Sequence, residues 1–471
     1  MPAALVWFRN DLRLADNPAL QAALETGFEP IPVYIPAPHE EGKWAPGAAS
    51  NAWRHRSLKA LSHDLHQRGS RLVVRQGDSS QVLRDLIVES GAQALFWNRK
   101  YEPATQPRDA AIKQALRAQG FEVRSCNATL LVEPWDVQTK AGGPYKVFTP
   151  FYRNVMASLR ARALYDAPTS LPAVPDALKG EGIEMLGLAP RLTWDRGFWD
   201  TWTPGETGAH EALDVFIDGA LRGYLDQRDL PDRVATSMLS PHLHFGEIAP
   251  WRVIAQLEGA RTAKLDTDID GFIRQLVWRE FAYHLMHHFP QTVEENLNPR
   301  FDGFAWEPAT PSKLQAWQRG MTGVPIVDAG MRELWHTGVM HNRVRMIVGS
   351  FLTKHLRMHW LEGARWFWDT LVDADLANNT LGWQWIGGTG ADAAPYFRVF
   401  NPVTQAQKFD PQARYIGRWV PELEALPVKV RFAPWESPEL LRQLAPSYPR
   451  QPIVDLVQGR QAALAAYAGT G

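Results

Sequence analysis

Five short apolar runs, separated by segments of helical periodicity, fill the first 130 residues of the chain. They lie at 4–8, 31–35, 72–75, 94–97 and 122–124. This alternation predicts βαβ units and a parallel sheet. The intervening segment at 50–69 carries Leu58, Leu61 and Leu65 at helical spacing and ends on a glycine. We therefore predict an α/β domain at 1–130, with a parallel five-stranded, Rossmann-like sheet.

The first predicted strand is not followed by Gly-x-Gly-x-x-Gly, which argues against a glycine-rich dinucleotide site at that position. Ligands of open α/β sheets bind beyond the carboxyl ends of the strands. In this chain those ends include residues 8–10 and 97–100.

The remaining chain divides into a connector and a helical region. Residues 131–205 contain Pro168, Pro172, Pro175 and Pro190 with little periodicity, and we predict a long interdomain connector over the surface. From Glu206 the pattern is helical throughout, with one apolar stripe over 269–285 and another over 346–352. This predicts a larger all-α domain at 206–471.

Composition narrows the class of protein. The single cysteine, Cys126, excludes an internal disulfide framework and a cysteine-built metal site, and favours a reducing, cytoplasmic setting. No apolar stretch is long enough to cross a membrane. The formal net charge is −1, so contact with nucleic acid requires a local basic patch. Acid-free windows at 137–165 and 334–361 qualify, although solvated helix faces have the same pattern.

An unusual mixture of side chains occupies residues 373–385, where two carboxylates, three carboxamides and two indoles occur within 13 positions. Buried polar groups need partners, and a ligand with many polar atoms would supply them. In a helix, Trp383 and Trp385 point in directions about 200° apart. Asp373 and Asp375 also fit a Mg²⁺ site, and a helix cap followed by core tryptophans is a third interpretation.

Two further segments carry candidate chemistry. Residues 236–241 place three hydroxyls at a predicted helix start, which suits a phosphate but is also typical of an ordinary cap. His284, His287 and His288 share one helix with Glu280 and could bind a metal, but no second segment completes such a site.

The stretch continues through 386–402, and over this length it resembles the flavin-binding core of the photolyase/cryptochrome family. The resemblance extends from Val6-Trp7-Phe8-Arg9-Asn10-Asp11-Leu12-Arg13 to the block at 448–454, nearly the whole chain. It is most similar to a class I cyclobutane pyrimidine dimer photolyase. The resemblance implies non-covalent FAD and, in the α/β domain, a possible antenna chromophore (a deazaflavin, flavin or folate).

The resemblance implies roles for individual cofactor residues. Asn379 matches the asparagine that faces the reactive flavin nitrogen, and Arg345 and Asp373 match an ion pair across the flavin ring. The full set of positions that match the flavin site is Tyr224, Thr236, Ser237, Met238, Leu239, Ser240, Phe272, Arg345, Asp373, Ala374, Asp375 and Asn379.

Other matching positions concern the substrate and the electron path. Trp383, Trp360 and Trp306 match the family's electron-transferring tryptophan chain. The substrate and DNA positions are Arg228, Gln275, Trp278, Arg279, Asn342, Arg343, Met346, Trp385 and Gln405. Members that repair (6-4) photoproducts carry histidines at positions 342 and 346, so Asn342 and Met346 favour the cyclobutane dimer.

Two departures weaken the match to repair enzymes: Gln275 stands where they usually carry glutamate, and Val339 replaces a tryptophan. We predict light-driven repair of cyclobutane dimers in DNA by a monomer that needs no protein partner. The alternatives are a cryptochrome-type photoreceptor with little or no repair, and a light-independent flavoprotein that binds nucleic acid.

Overall fold

A computed structural model describes residues 1–392 and 397–470. Part of the family-like block, Ala393-Ala394-Pro395-Tyr396, lies outside the described residues. No helix among the described residues is long and apolar enough to span a membrane.

The N-terminal region forms a parallel sheet of five strands in the order β3-β2-β1-β4-β5, as predicted. The strands are β1 (Ala3–Phe8), β2 (Glu29–Tyr34), β3 (Val73–Val74), β4 (Ala94–Asn98) and β5 (Glu122–Cys126). Apolar side chains of β1 alternate between two buried clusters, one on each face of the sheet. A sheet covered on both faces explains why its central strands are continuous apolar runs.

Four helices cover this sheet: α1 (Pro18–Glu25), α2 (Ala48–Gln67), α3 (Ser79–Ser90) and α4 (Thr105–Ala118). Side chains cap the N-termini of α1 and α3. Asn17 accepts a hydrogen bond from the Leu20 amide, and Asp78 accepts one from the Gln81 amide. Helix α3 ends at Gly91, whose φ of 65° is left-handed.

The predicted connector contains a helix that the sequence interpretation missed, α5 (Phe148–Ser158). Pro150 lies in its first turn, where proline is tolerated, so the prolines of this region do not exclude a helix. Phe148, Phe151 and Val155 pack into the helical core, whereas Leu171 and Phe198 pack on the sheet. The connector therefore ties the two regions together. The boundaries at 130 and 205 stay a prediction.

The remainder is helical, as predicted. Its helices are α6 (Glu206–Val215), α7 (Tyr224–Gln227), α8 (Ser240–His244), α9 (Pro250–Gly259), α10 (Asp266–His288), α11 (Pro311–Gln318), α12 (Pro325–Thr337), α13 (Asn342–Ser350), α14 (Trp360–Thr370), α15 (Leu376–Gly387), α16 (Pro402–Phe409), α17 (Arg414–Trp419), α18 (Val428–Arg431), α19 (Pro438–Leu444) and α20 (Leu456–Ala468). Shorter 3₁₀ and π segments occur along the whole described chain: Pro38–Trp44, Ile183–Leu186, Thr193–Asp200, Phe216–Ala220, Pro290–Val293, Pro299–Gly303, Phe351–His355, Pro421–Leu423 and Pro434–Glu436.

Helix α15 is central to this region and packs against α10, α13 and α14. Its close approach to α14 depends on Gly363, where an added Cβ would lie 2.0 Å from the Trp383 ring. Nine of the predicted site residues lie on the three helices around α15, and three more lie on α15 itself.

Candidate active site

Helix α15 begins at Asp375, whose carboxylate accepts hydrogen bonds from the backbone amide and the side-chain amide of Asn378, each at 2.8 Å. The Tyr283 hydroxyl also donates to it, and His244 lies 3.5 Å away. Burial alone would raise the pKa of Asp375, but interactions with His244, then Arg279 and Tyr283, hold this pKa well below its usual range. Asp375 is thus a fixed charge that caps the helix.

Two residues before this cap, Asp373 forms the predicted ion pair with Arg345. The distance from the Arg345 guanidinium to the carboxylate is 2.9 Å, and Arg345 also donates to the Met340 carbonyl at 2.7 Å. Ser240 donates its hydroxyl to the same carboxylate. Asp373 therefore brings α13 together with the hydroxyl-rich segment at 236–240, which lie far apart in sequence.

The hydroxyl segment differs from the predicted cap. Helix α8 has only five residues, Leu239 lies at its N-cap, and no side chain caps it. Met238 has a φ of 55°, a left-handed conformation that is uncommon for a residue with a side chain. Thr236 and Ser237 are half-buried and Ser240 is exposed. The segment keeps polar groups available at the start of a helix without using them to cap it.

Tyr224 and Phe272 form a buried aromatic pair beside this segment. Their ring centroids are 5.4 Å apart, and Phe216 contacts both rings. Burial raises the pKa of Tyr224, so its hydroxyl stays protonated and can donate a hydrogen bond.

One face of α15 is open. Asn379 donates its side-chain amide to the Ala364 carbonyl at 2.9 Å, which leaves its oxygen as an acceptor. Three residues further along, an added Cβ at Gly382 would meet nothing within 4 Å, although Trp383 beside it is buried. This face of the helix is open beside the Asn379 carboxamide and leaves room for a ligand with polar edges. The residues present therefore fit the flavin that the resemblance implies.

The three tryptophans of the predicted electron path follow each other from the core toward the surface. Trp383 on α15 and Trp360 at the start of α14 are buried in one apolar cluster, and Trp306 is half-buried against it. His359 lies between the outer two, with ring centroids 5.1 Å from Trp306 and 5.5 Å from Trp360. Burial lowers the pKa of His359, so the imidazole is neutral.

The predicted substrate residues on α10 differ in exposure. Gln275 and Trp278 are half-buried, and the Arg228 guanidinium donates to the Gln275 carboxamide oxygen at 3.1 Å. Trp278 stacks one face on Phe148, at 3.6 Å between centroids. Arg279 is different: it is buried and donates to the Thr129 carbonyl at 2.7 Å. The Thr129 bond engages one guanidinium N–H, and the role of Arg279 in binding the substrate stays a prediction.

The predicted DNA residues of α13 lie at its start. Asn342 is exposed and Met346, one turn further, is half-buried. Arg343 pairs with Asp229 at 2.5 Å and lies over the Phe409 ring at 4.3 Å, and it shares this region with Gln405 on α16. On α15, Trp385 is half-buried and donates to the Asp392 carbonyl at 3.2 Å.

The two alternative metal sites of the sequence are occupied by other interactions. Asp373 and Asp375 are engaged by Arg345 and by Tyr283. His284 accepts a hydrogen bond from the Tyr145 amide at 3.0 Å and contacts the Pro134 carbonyl, which His288 also contacts. These side chains serve packing between α10 and the connector.

A cavity of about 200 Å³ lies between the two regions of the chain. Its walls include Ala374 and Leu376 from the α15 side and Asn10 from the end of β1. Four of its lining side chains have buried polar atoms without a hydrogen-bond partner among the described residues: Trp44, Ser50, Arg54 and Glu102. Unpaired buried polar atoms are costly, so a polar ligand fits this cavity.

Sequence reasoning missed Tyr283, His244 and this cavity. Tyr283 and His244 lie 92 and 131 positions from Asp375, and neither belongs to a motif that signals such a contact.

Comparisons with known proteins match the chain over both regions. Residues 4–175 match the family described as DNA photolyase, and residues 272–469 match the FAD binding domain of DNA photolyase. The deoxyribodipyrimidine photo-lyase of Agrobacterium fabrum is 51% identical, covering 98% of this chain and 97% of that protein. Cryptochrome-1 of Arabidopsis thaliana is 37% identical, covering 97% of this chain and 69% of that protein.

The fold of the chain also matches that of a solved photolyase structure. The crystal structure of a bacterial class III photolyase from Agrobacterium tumefaciens superposes with a TM-score of 0.95 at 50% identity, covering 100% of this chain and 98% of that one.

Proposed function

The chain belongs to the photolyase/cryptochrome family, and on this premise we propose that it repairs cyclobutane pyrimidine dimers in DNA with light. The observation that carries the proposal is the Arg345–Asp373 ion pair, which joins the hydroxyl segment to the open face of α15. Class I membership stays a prediction, since one solved relative is described as class III.

FAD is the cofactor. Thr236, Ser237 and Ser240 would hold its phosphates, and Asn379 and the space at Gly382 would receive its ring. When bound and reduced, FAD supplies the photo-excited electron that splits the dimer and takes that electron back afterwards. The Asn379 oxygen would accept a hydrogen bond from a protonated nitrogen of the ring without carrying charge. The Arg345–Asp373 pair adds a fixed dipole beside the redox centre.

The substrate is a dimer turned out of the duplex. Turning bases out of the duplex costs a few kcal/mol. The cost is lowest for a damaged pair, because such a pair stacks poorly. Trp278 and Trp385 offer stacking surfaces that replace lost stacking, worth about 1–3 kcal/mol per base. Gln275, Asn342 and Met346 line the approach, and Arg228, Arg343 and Gln405 would fix the strand through its phosphates. Arg343 must exchange its Asp229 partner for DNA, so part of its charge is released only on binding.

Trp383, Trp360 and Trp306 carry an electron inward when the flavin is oxidised. Their order from buried to half-buried supports this role. The neutral His359 between the outer pair adds no positive charge that would oppose a tryptophan radical cation.

A second, antenna chromophore would occupy the interdomain cavity, where the unpaired N–H groups of Trp44 and Arg54 supply donors. At about 200 Å³ the cavity would hold one ring system and leave the rest of the molecule outside. We place the protein in the cytoplasm, as a monomer that needs no protein partner.

The test is illumination of the reduced, FAD-loaded protein with an oligonucleotide that contains one cyclobutane dimer, followed by chromatography of the product. Restored pyrimidines in the light and none in the dark are expected. A Trp383→Phe variant, reduced chemically beforehand, should repair normally but fail to photoreduce from the oxidised state.

One observation favours a second candidate function, a blue-light photoreceptor. Gln275 lacks the proton of a glutamic acid and is held by Arg228 at 3.1 Å, so it is a weaker stabiliser of a dimer radical anion. Normal photoreduction with no dimer splitting would identify this function.

A further inference from the structure

The loop that follows α15 turns back on the helix and places Asp392 beside Trp385. The backbone amides of Thr389 and Gly390 both donate to the Gln384 carbonyl, at 2.9 and 3.1 Å. The turn is tight, because a Cβ added at Gly390 would lie 2.7 Å from the Gln384 Cβ. The Trp385 indole N–H donates to the Asp392 carbonyl at 3.2 Å. The loop therefore holds this indole in one direction.

The same loop packs on α5. Ala391 is buried in the apolar cluster that contains Phe148, the first residue of α5. The Asp392 carboxylate interacts with the backbone N–H of Phe148 and with the charge of Arg274. Burial raises the pKa of the Asp392 carboxyl, and these two interactions oppose the rise. A carboxylate at this end of a helix stabilises it, because the first backbone N–H groups have no partner within the helix.

Phe148 in turn supports the second predicted stacking residue, Trp278. The two rings stack with 3.6 Å between centroids and 7° between planes. Arg274, one turn before Trp278 on α10, lies over the Phe148 ring at 4.8 Å. Asp392 is therefore connected to both half-buried indoles: to Trp385 through its own carbonyl, and to Trp278 through Phe148.

The backbone of Asp392 has a φ of 52°, in the left-handed region. Among residues with a side chain, aspartate and asparagine adopt this region more readily than most. Glycine would adopt it without strain but would leave the Phe148 N–H without the carboxylate. An aspartate at this position thus combines the turn of the loop with a contact to α5.

On the premise of the proposed repair function, we infer that Asp392 is a positioning residue of the substrate cavity. It sets the relative orientation of Trp278 and Trp385, the indoles that would stack on a dimer turned out of the duplex. Displacement of either indole should weaken binding of dimer-containing DNA, because stacking contributes to the affinity for each base. Binding of undamaged duplex depends on phosphate contacts and should not change.

Three variants separate the side chain of Asp392 from its backbone conformation. Asp392→Asn keeps an acceptor oxygen and tolerates the left-handed φ, Asp392→Gly keeps the φ and removes the acceptor, and Asp392→Ala removes the acceptor and disfavours the φ. Asp455→Gly is the matched control, since Asp455 is an exposed aspartate that caps α20 through the Gln458 amide at 2.8 Å. Retained FAD absorbance shows that each variant is folded.

The first measurement is the binding and repair of an oligonucleotide that contains one cyclobutane dimer, by the FAD-loaded protein. Affinity should fall about fivefold or more in Asp392→Gly and Asp392→Ala, and stay within about twofold of the wild type in Asp392→Asn and Asp455→Gly. KM for dimer DNA should rise in parallel, whereas kcat at saturating DNA should stay within about twofold. A general loss of structure would lower kcat and FAD content as well.

The second measurement needs no DNA. Fluorine NMR of the FAD-loaded protein, labelled with fluorotryptophan, reports the surroundings of each indole, and Trp278→Phe and Trp385→Phe assign the two resonances. Both resonances should shift in Asp392→Gly, because the loop loses its contact with α5. Both should stay close to their wild-type positions in Asp392→Asn and in Asp455→Gly.

An unshifted resonance of either indole in Asp392→Gly would overturn the inference, whatever the DNA binding of this variant. Wild-type affinity for dimer DNA in Asp392→Gly would also overturn it, when the wild type itself prefers dimer-containing to undamaged DNA. A wild type without that preference would refute the proposed repair function and the stacking role together. The fluorine resonances would still decide whether Asp392 orients the two indoles.

Discussion

Substitution of Gly382 should change protein stability and cofactor affinity in opposite directions. This glycine lies in the interior of α15, and a Cβ there meets nothing within 4 Å. Glycine within a helix costs about 0.5–1 kcal/mol relative to alanine. Gly382→Ala and Gly382→Leu should therefore raise the free energy of unfolding of the apoprotein by about that amount. For a domain of this size the melting temperature rises by about 1–4 °C.

FAD affinity should fall in the same variants, because the open space is the proposed position of the flavin ring. We expect a moderate loss for alanine and at least a tenfold loss for leucine, equivalent to about 1.4 kcal/mol or more. Gly259→Ala is the control, since an added Cβ at that helical glycine also meets nothing within 4 Å. Calorimetry of the apoproteins and titration with FAD measure the two effects. Wild-type FAD affinity in Gly382→Leu would refute the placement of the flavin on this face.

Three further results are expected. Gln275→Glu should raise the number of dimers split per absorbed photon, because a carboxyl group can move a proton toward the dimer. It should also weaken DNA binding, because the ionised carboxylate neutralises Arg228. Equal yields of the two proteins on one oligonucleotide would show that position 275 only orients bases. Arg343→Ala should weaken DNA binding and reduce the slope of log affinity against log salt by about 0.9; an unchanged slope would remove Arg343 from the phosphate contacts. Burial raises the pKa of Glu280 to about 8, so the folded state holds a proton that the unfolded state releases above pH 4.5. The free energy of unfolding should therefore fall as pH rises from about 5 to 8. Urea unfolding of Glu280→Gln should show a smaller fall of this free energy over the same pH range.

The fold was predictable where periodicity is strong. The apolar runs around Val6 and Phe96 gave the strands of the sheet, and the stripe through Phe272 and Phe281 gave α10, because burial of one face imposes a repeat on the sequence. Helix α5 was missed because its eleven residues carry few repeats and a proline, and its existence depends on packing against α10.

The site was predictable only in part. Asp373 and Arg345 were paired through the resemblance, and the structure shows the ion pair. The partners of Asp375 could not be predicted, since Tyr283 and His244 reach it through tertiary packing. Burial of Arg279 was also outside sequence reasoning, because the periodicity of α10 gives the direction of a side chain but not the connector that covers it.

The most direct test of light-driven dimer repair is a count of dimers split per protein molecule, with the flavin absorption spectrum recorded before and after. Reduced, FAD-loaded protein is illuminated with excess dimer-containing oligonucleotide. Because the electron returns after the ring opens, we predict many dimers split per molecule, an unchanged reduced-flavin spectrum and no reaction in the dark. Dimer splitting that stops at one per molecule with oxidation of the flavin, or no splitting in the light, would contradict it.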